Sequence, residues 1–522
     1  MTERRYFPEL RTLPAVVSTH AEQQPDVPAI MCAGRALDYA GLDRESSRIA
    51  HAALGDGLRP GDRVAYLGVE SVEYYATMFA CAKAGLVLVP INFRLAAPEV
   101  EHILRDSGSA LLIVDDDLRP AIEPVAAELP GLRVRGAAAA DFAEWTSGHP
   151  GTVPRGVASG PEDPVVQLYT SGTTGLPKGV VLAQRSLFAI RDQLAGAGLD
   201  WIDWQAGDRS LIGIPGFHVG GVWWSAQGFA AGITNVAMPR FDPAGAVALI
   251  TELRITTVCV VPSMIRLLLG EPGADKAAFA TVRKIVYGGS PISETLLTEA
   301  LPVFDCDFAQ IYGLTETGNT AVCLPPADHV SGSPRLRAAG RPYPGVDCKI
   351  IDEAGAPLGP GEIGEVCLRT PARMVEYWGL PDATAATLVG GWIHTGDAGY
   401  LDEDGYVFIH DRIKDMILVG GENVYPNEIE NVLTKHPGVA DAAVIGIPDD
   451  AFGEAVLAFV APRPGEEVRA RDLLRFCQGR IAGFKVPSRF ELVEKVPRNP
   501  SGKVLRRELR DRYWSTQDRN VN

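Results

Sequence analysis

The sequence predicts an α/β protein with a large N-terminal domain of layered sheets and a smaller α+β unit at its C-terminal end. Three observations carry this. Up to about residue 400, short Val/Ile/Leu runs alternate with longer amphipathic stretches, the pattern of helices layered on largely parallel strands. From 340 to 410 glycines and short alternating strands dominate, which predicts a small β-rich subdomain. After Asp411-Arg412-Ile413-Lys414-Asp415 comes a compact unit of helices and strands. At 522 residues the chain is also too long for a single core. The domains are therefore expected at 1–412 and 413–522.

In chain order, Val64-Ala65-Tyr66-Leu67, Val87-Leu88-Val89-Pro90 and Leu111-Leu112-Ile113-Val114 predict buried parallel strands. Apolar residues at helical spacing predict a helix over 71–83 between the first two. Val165–Tyr169 reads as a strand leading into a glycine-rich loop, and Val180-Val181-Leu182 as its extended continuation. Leu211-Ile212-Gly213-Ile214, Val258-Cys259-Val260-Val261 and Lys284-Ile285-Val286-Tyr287 repeat the strand theme. Several of these runs end in Pro or Gly, and loops after such strands are where α/β folds place ligands. In the C-terminal unit the pattern predicts helices over 427–435 and 470–481, with strands over 441–446 and 455–461.

Composition narrows the function class. Hydrophobic content of 46% with 22% charged residues fits a globular enzyme. A net charge of −16 argues against general binding of nucleic acid or anionic membranes. An anionic substrate then needs a local basic patch, and basic residues crowd 471–512, where a solvated surface explains them equally well. The eight cysteines form no CxxC pair and the nine histidines no HExxH, so neither a disulfide framework nor a zinc site is expected, and a reducing cytoplasm fits. The N-terminus shows no signal peptide, and no apolar run reaches the length of a membrane span. Peripheral contact with a membrane stays open, and a homodimer is the default expectation.

The most informative stretch is Tyr169-Thr170-Ser171-Gly172-Thr173-Thr174-Gly175-Leu176-Pro177-Lys178-Gly179-Val180. Backbone N–H groups and hydroxyls in such a loop can wrap phosphate oxygens, because glycine permits close approach. It is not a Walker A, since the lysine follows Pro177. Taken alone, a flexible connection explains it as well. With strands on both sides, the run resembles the phosphate-binding signature of the adenylate-forming superfamily: acyl-CoA synthetases, peptide-synthetase adenylation domains and luciferases.

Five further segments are similar to that superfamily in the same order, so the resemblance covers nearly the whole chain. It implies layered αβαβα sheets and a small mobile C-terminal domain. In Gln310-Ile311-Tyr312-Gly313-Leu314-Thr315-Glu316-Thr317 it implies adenine contact for Tyr312, phosphate contact for Thr315 and magnesium for Glu316. A lone carboxylate suffices, because Mg²⁺ takes one or two carboxylates plus substrate phosphates. Without the resemblance, Thr-Glu reads as a helix cap. In Gly391-Trp392-Ile393-His394-Thr395-Gly396-Asp397 it implies ribose contact for Asp397, a role that suits an acceptor-only carboxylate, with Arg412 as its partner. An Asx-turn is the plainer reading.

Lys414 matches the family's hinge, about which the C-terminal domain swings. One orientation makes the adenylate. The other brings Gly420-Gly421-Glu422 to the thiol tunnel. In Pro497-Arg498-Asn499-Pro500-Ser501-Gly502-Lys503, Lys503 matches the catalytic lysine that binds the acyl carboxylate and a phosphate oxygen. The same segment fits a Pro-x4-Gly-Lys pattern seen where related synthetases are acetylated, so regulatory acetylation of Lys503 is a hypothesis. Gly288-Gly289-Ser290-Pro291 lies at the adenine pocket in the family and carries Ser-Pro where alanine is frequent. Ala183-Gln184-Arg185-Ser186 stands where many relatives have Thr-His-Arg-Asn, losing an imidazole.

His218, in Pro215-Gly216-Phe217-His218-Val219-Gly220-Gly221, matches a residue bordering the acyl carboxylate, although a satisfied core histidine explains it from sequence alone. Amino-acid-activating relatives carry an aspartate here, and none stands beside Phe217. Val222, Trp223 and Gly313 are candidates for the acyl pocket, with the core as the plainer place for adjacent tryptophans.

The expected function is an ATP-dependent acid–CoA ligase using ATP, Mg²⁺ and CoA, closest to bacterial fatty acyl-CoA ligases, acting on a fatty or other hydrophobic carboxylic acid. Its catalytic set would be Lys503, Glu316, Thr315 and His218. The alternative is an adenylating enzyme that loads a carrier protein. A non-catalytic binding or regulatory descendant is the third reading, against which Lys178, Glu316, Asp397, Arg412 and Lys503 speak.

Overall fold

The computed structural model describes residues 5–170, 177–199, 201–290, 292–420, 422–449, 452–499 and 502–514. Two large sheets organise the N-terminal part. In the seven-stranded sheet, Arg63–Leu67, Val87–Ile91, Leu111–Val114 and Arg133–Gly136 run parallel. Pro164–Thr170 joins beside Val87–Ile91 in the same direction. Lys178–Ala183 then returns antiparallel, and Glu376–Tyr377 pairs on its far side. Every residue of Val87–Ile91 and Leu111–Val114 is buried, as continuous apolar runs predict for strands covered on both faces.

The nine-stranded sheet has a parallel centre of Asp307–Tyr312, Lys284–Gly288, Thr257–Val260, Arg209–Ile212, Thr234–Ala237 and Pro28–Cys32. The strand expected over 211–214 leaves the ladder at Ile212, where Pro215, which has no N–H, is three residues away. Helix Val72–Ala84 is buried along its whole length and touches strands of both sheets. It forms the middle helical layer of the expected αβαβα arrangement. Ser71 starts it by accepting from Tyr74 N at 3.1 Å, and left-handed Gly85 ends it.

Asp347–Ile351, Gly364–Arg369, Leu388–Val389, Trp392–Leu401 and Val407–Arg412 form a separate antiparallel sheet, the β-rich subdomain. The C-terminal unit holds another five-stranded sheet around the long pair Val439–Asp449 and Gly453–Pro462. Side chains alternate across it. Ala442, Val444, Val456, Ala458 and Val460 pack against helices Pro426–Leu433 and Ala470–Cys477, while Ala443, Ile445, Leu457 and Phe459 face Val496, Val504 and Leu509. The helix expected over 470–481 stops at Cys477, because Gly479 turns at φ +75° and the chain changes direction. Among the described residues, no helix is long and apolar enough to cross a membrane.

The parallel strands set the location of the site. Their C-terminal ends release Glu70, Phe93, Thr170, Pro215–His218, Arg240, Ser263, Gly288 and Tyr312 on one edge of the two sheets. That edge is where open α/β sheets bind ligands.

Candidate active site

Asp397 and Arg412 are direct partners across the ladder between Trp392–Leu401 and Val407–Arg412. Arg412 Nε lies 2.8 Å from Asp397 Oδ1, and Arg412 Nη1 donates to Thr395 O at 2.9 Å. Tyr312 OH donates to Asp397 Oδ2 at 2.7 Å. Burial and Asp397 push the Tyr312 phenol far above its ordinary range, so it stays a donor. Burial works against the charge of Arg412, but Asp397, Tyr312 and Glu316 outweigh it.

Lys503 belongs to the same cluster. Burial, then the positive charge of Arg412, pulls its ammonium down to about 8, while Asp397 and Asp415 act in the opposite sense. Its backbone is fixed by Asn499, whose N–H donates to Lys503 O and whose Oδ1 accepts from Lys503 N, each at 2.8 Å. Arg498 clamps the base of this turn with a bidentate pair to Asp441 at 2.8 and 3.0 Å. The turn is pressed onto the start of helix Pro262–Leu269, which follows strand Thr257–Val260. Gly502 turns at φ +78°, which favours glycine, and a Cβ there would come 2.7 Å from Ser263 Oγ.

Glu316 lies in the short 3-10 turn Thr315–Thr317 that follows strand Asp307–Tyr312 and Gly313. Tyr377 OH donates to Glu316 Oε1 at 2.6 Å, and Lys178 Nζ sits 5.1 Å from the Tyr377 ring centroid. Sequence reasoning missed Tyr377 in this role. Its place depends on Tyr377 pairing with Val180, almost two hundred residues away in sequence. A carboxylate held through one oxygen fits a hard cation that completes its shell with phosphates and water. Thr170 pairs with Lys178 across the ladder, while Ser171, Gly172, Thr173, Thr174 and Gly175 lie outside the described residues. Gly288 ends strand Lys284–Gly288, and Gly289, at φ +81°, turns the chain toward Ser290.

His218 starts helix Val219–Ala230. Burial, helped by the charge of Arg94, pulls its imidazole down to about 4, so it is neutral at pH 7. Its Nε2 is closed from solvent without a hydrogen-bond partner. Asn319 Nδ2 is in the same condition, and Asn319 takes a left-handed backbone at φ +89°. Gly220 brings the two neighbourhoods together, its Cβ position lying 3.6 Å from Asn319 Oδ1. Strain and unmet polar atoms side by side are characteristic of ligand sites. The turn before His218 is gripped by Glu70, which accepts from Gly216 N at 2.6 Å and from Tyr75 OH at 2.5 Å. Tyr74 OH donates to Gly216 O at 2.8 Å, leaving no room for a side chain at 216. Neither Asn319 nor Glu70 carried a sequence signal.

Val222 and Trp223 are buried in helix Val219–Ala230, and neighbouring Trp224 donates to Ser210 Oγ at 2.8 Å. Gln184, at the departure noted above, accepts from Leu13 N at 3.0 Å and serves the packing of the N-terminal helix. Glu365 accepts from Gly396 N and pairs with His394 Nδ1, both at 2.9 Å, fixing the turn that carries Asp397.

Lys414 is the middle residue of the turn Ile413–Asp415, in which Ile413 and Lys414 are exposed and Asp415 is buried. Polar contacts cross this junction, beside the His410–Tyr425 ring contact at 5.0 Å: Arg266 Nη1 donates to Ala440 O at 2.8 Å, and Lys435 pairs with Glu294 at 2.9 Å. Gly420 N donates to Phe452 O at 2.9 Å, and Gly420, Glu422 and Phe452 are exposed at one edge of the C-terminal unit. Gly421 lies outside the described residues.

Comparison with known proteins identifies the family and the fold. Residues 17–378 match the AMP-binding enzyme family and residues 428–503 match the AMP-binding enzyme C-terminal domain. The chain is 62% identical to the fatty acid–[acyl-carrier-protein] ligase ScoC of Streptomyces coeruleorubidus over 520 residues, covering 100% of each chain. It is 37% identical to a feruloyl-CoA synthase of an Amycolatopsis species over 494 residues, 94% of this chain and 97% of that one. The ATP-bound crystal structure of MatB from Rhodopseudomonas palustris superposes with a TM-score of 0.88 at 30% identity, over 96% of this chain and 99% of that one. The chain belongs to the AMP-binding enzyme family and is an adenylate-forming ligase.

Proposed function

We propose that this enzyme activates a fatty or other hydrophobic carboxylic acid as its acyl adenylate. It then passes the acyl group to the thiol of a phosphopantetheine arm on an acyl carrier protein. End-to-end identity of 62% with a fatty acid–carrier-protein ligase carries this reading. Free CoA as acceptor is the second reading, favoured by the 37% identity with feruloyl-CoA synthase and by the Gly-Glu-Asn-Val-Tyr-Pro wording of 421–426.

A carboxylate is a poor acyl donor because oxide would have to leave. Its oxygen therefore attacks the α-phosphorus of ATP, and pyrophosphate departs with the electron pair of the broken P–O bond. In this reading Asp397, oriented by Arg412 and Tyr312, accepts the ribose hydroxyl protons. Loop 170–178 donates to the phosphates. Lys503 bridges the acyl carboxylate and the α-phosphate, where negative charge gathers. Glu316 would hold Mg²⁺, which supplies further positive charge to the phosphates. In the second step the thiol sulfur attacks the acyl carbon, AMP leaves, and the thiol proton passes to solvent.

We assign the C-terminal unit, 413–522, as a lid that turns about Lys414 between these steps. The polar contacts across the junction support this, since such interfaces permit domain motion. No aspartate stands beside Phe217 to hold a substrate ammonium, which supports an acid without an amine. Pyrophosphate release should be measured with a panel of acids, each with no acceptor, with CoA and with phosphopantetheinylated carrier protein. Steady turnover only with the carrier is the expected result, turnover with CoA alone selects the second reading, and no release with any acid defeats both.

A further inference from the structure

Strand Gly364–Arg369 presents two chemically different faces. Val366 and Leu368 pack into the main hydrophobic core, so Glu365 and Cys367, which alternate with them, point to the opposite face of the sheet. On the neighbouring strand His394 is the ladder partner of Cys367, which places its ring on that same face. One ligand atom from each residue, the Cys367 sulfur, a His394 ring nitrogen and a Glu365 carboxylate oxygen, lies within 4.8 Å of the other two. Among the described residues no other three His, Cys, Asp or Glu side chains converge in this way. Cys367 is buried, whereas the side chains of Glu365 and His394 are 21% and 27% exposed, so the cluster opens to solvent through these two.

Thiolate, imidazole and carboxylate are donors that zinc takes, at about 2.3 Å for sulfur and about 2.0–2.2 Å for nitrogen and oxygen. Tetrahedral coordination at those lengths sets neighbouring donors about 3.3–3.6 Å apart. His394 Nδ1 and Glu365 Oε2 already stand at 2.9 Å, and no pair in the set exceeds 4.8 Å. Three protein donors leave a fourth position for water on the solvent side. Thiolate and carboxylate together offset the two charges of the ion. Lys349, the ladder partner of Cys367 on its other side, rests its ammonium on the Trp392 ring, 4.6 Å from the centroid, and Arg369 lies over the same ring at 4.9 Å. Magnesium prefers hard oxygen donors, so a sulfur ligand sets this cluster apart from Glu316. The missing CxxC and HExxH spacings say nothing of it, because His394 stands 29 residues from Glu365 and only strand pairing unites them.

We propose that Glu365, Cys367 and His394 bind a divalent metal ion of the zinc class, which staples the turn carrying Asp397 to strand Gly364–Arg369. On binding, the Cys367 thiol releases its proton to solvent, and sulfur, ring nitrogen and carboxylate oxygen each donate a lone pair to the ion. Glu365 Oε1 also accepts from Gly396 N at 2.9 Å, next to Asp397, so an ion on Glu365 and His394 braces Thr395-Gly396 from both sides. The site stands apart from the adenylation chemistry and holds whichever thiol accepts the acyl group.

The test titrates the full chain with Co²⁺ as a spectroscopic stand-in, in excess Mg²⁺ to fill oxygen-only sites, and then with competing Zn²⁺. The wild type should show a thiolate-to-cobalt charge-transfer band and the intense visible bands of a four-coordinate ion, both erased by Zn²⁺. Cys367→Ala should lose the charge-transfer band. Cys348→Ala, on the core-facing side of the adjoining strand, should keep it. His394→Gln retains the thiol and should weaken Co²⁺ binding at least about tenfold, since even an outer partner of a ligand is worth about 10–100-fold. Zn²⁺ should raise the thermal midpoint of the wild type and leave that of Cys367→Ala unchanged. No charge-transfer band in the wild type, a band that survives in Cys367→Ala, or equal Zn²⁺ shifts in both would overturn the proposal. Should Cys367→Ala fail to fold, His394→Gln decides, and unchanged Co²⁺ affinity there overturns it equally.

Discussion

Arg412 and Asp397 face each other on one rung of an antiparallel ladder, with Nε and Oδ1 2.8 Å apart and Tyr312 donating to the other carboxylate oxygen. The carboxylate is nearly closed from water, 7% exposed, so its direction is set by the fold rather than by solvent. Asp397→Asn keeps the shape but puts an amide where two donors now converge. Removing one side of a buried charge pair costs about 2–5 kcal/mol, so ATP affinity should fall roughly thirtyfold or more. Nucleotide binding by calorimetry checks this, and unchanged affinity would remove Asp397 from the ribose assignment.

Lys503 supplies the second prediction. Its ammonium, pulled down to about 8, loses its proton well below the ordinary lysine range. Adenylation that needs the charged form should fall as pH rises through about 8, seen in kcat/KM, which reports the free enzyme. Lys503→Ala should slow adenylation by about 10²–10³, as for loss of one preorganised donor, while sparing thioester formation from premade adenylate. Equal loss in both half-reactions would refute the assignment. Acetylation of Lys503 would remove the same charge. Deacetylase treatment of cell-derived protein should then raise activity together with a mass loss of one acetyl group.

What the sequence disclosed, and what it did not, follows from separation along the chain. Tyr312 and Glu316 stand four residues apart in one motif, so the resemblance reached both, although strand Asp307–Tyr312, which delivers them, was not among the predicted strands. Asp397 and Arg412 are joined by a short hairpin, so a local pattern could suggest their pairing. Glu70 meets Gly216 across 146 residues, and Tyr377 meets Glu316 across 61. No local periodicity encodes such contacts. The helix expected over 470–481 overran for the opposite reason. Its amphipathic pattern is local and strong, but one left-handed glycine, Gly479, overrides it.

Glu70 predicts a pH dependence of stability. Burial pushes its carboxyl up to about 7 from an ordinary 4.5, against the pull of Tyr75 and Gly216. Between those pH values the folded chain holds a proton that the unfolded chain has released. Stability therefore declines as pH rises across that window, by about 3 kcal/mol at most, and this contribution is flat outside it. Glu70→Gln keeps an acceptor for Gly216 N without the titration, so the decline should vanish. Urea unfolding at pH 5 and pH 7.5 in both proteins decides, and an identical difference in the two would dismiss Glu70 as its source.

Tyr377 predicts a change in metal dependence. Its hydroxyl is 2.6 Å from Glu316 Oε1 and orients the carboxylate assigned to Mg²⁺. Losing an outer partner of a ligand typically costs about 10–100-fold in metal affinity. Tyr377→Phe should raise the Mg²⁺ concentration for half-maximal adenylation by about that factor, with maximal rate largely recovered at saturation. A lower maximal rate with unchanged Mg²⁺ dependence would place Tyr377 elsewhere in the reaction.

Lys414 tests the lid. It is the middle residue of Ile413–Asp415 and stands two residues after Arg412, which stays with Asp397, while the lid reaches back to Asp411, just before Arg412: Asn427 N donates to Asp411 Oδ2 at 3.1 Å and Arg506 approaches to 3.6 Å. A rotation of the lid about this point must change the backbone angles of one or two residues while the Arg412–Asp397 pair holds. Proline is tolerated in the first turn of a helix, so Lys414→Pro should leave this arrangement intact and adenylation near wild type. It fixes φ at 414, so the turn to the thiol-accepting arrangement is hindered and thioester formation should fall with the adenylate accumulating on the enzyme. Quenched-flow measurement of pyrophosphate and thioester separates the two steps. Wild-type thioester formation in this variant would remove Lys414 as the hinge.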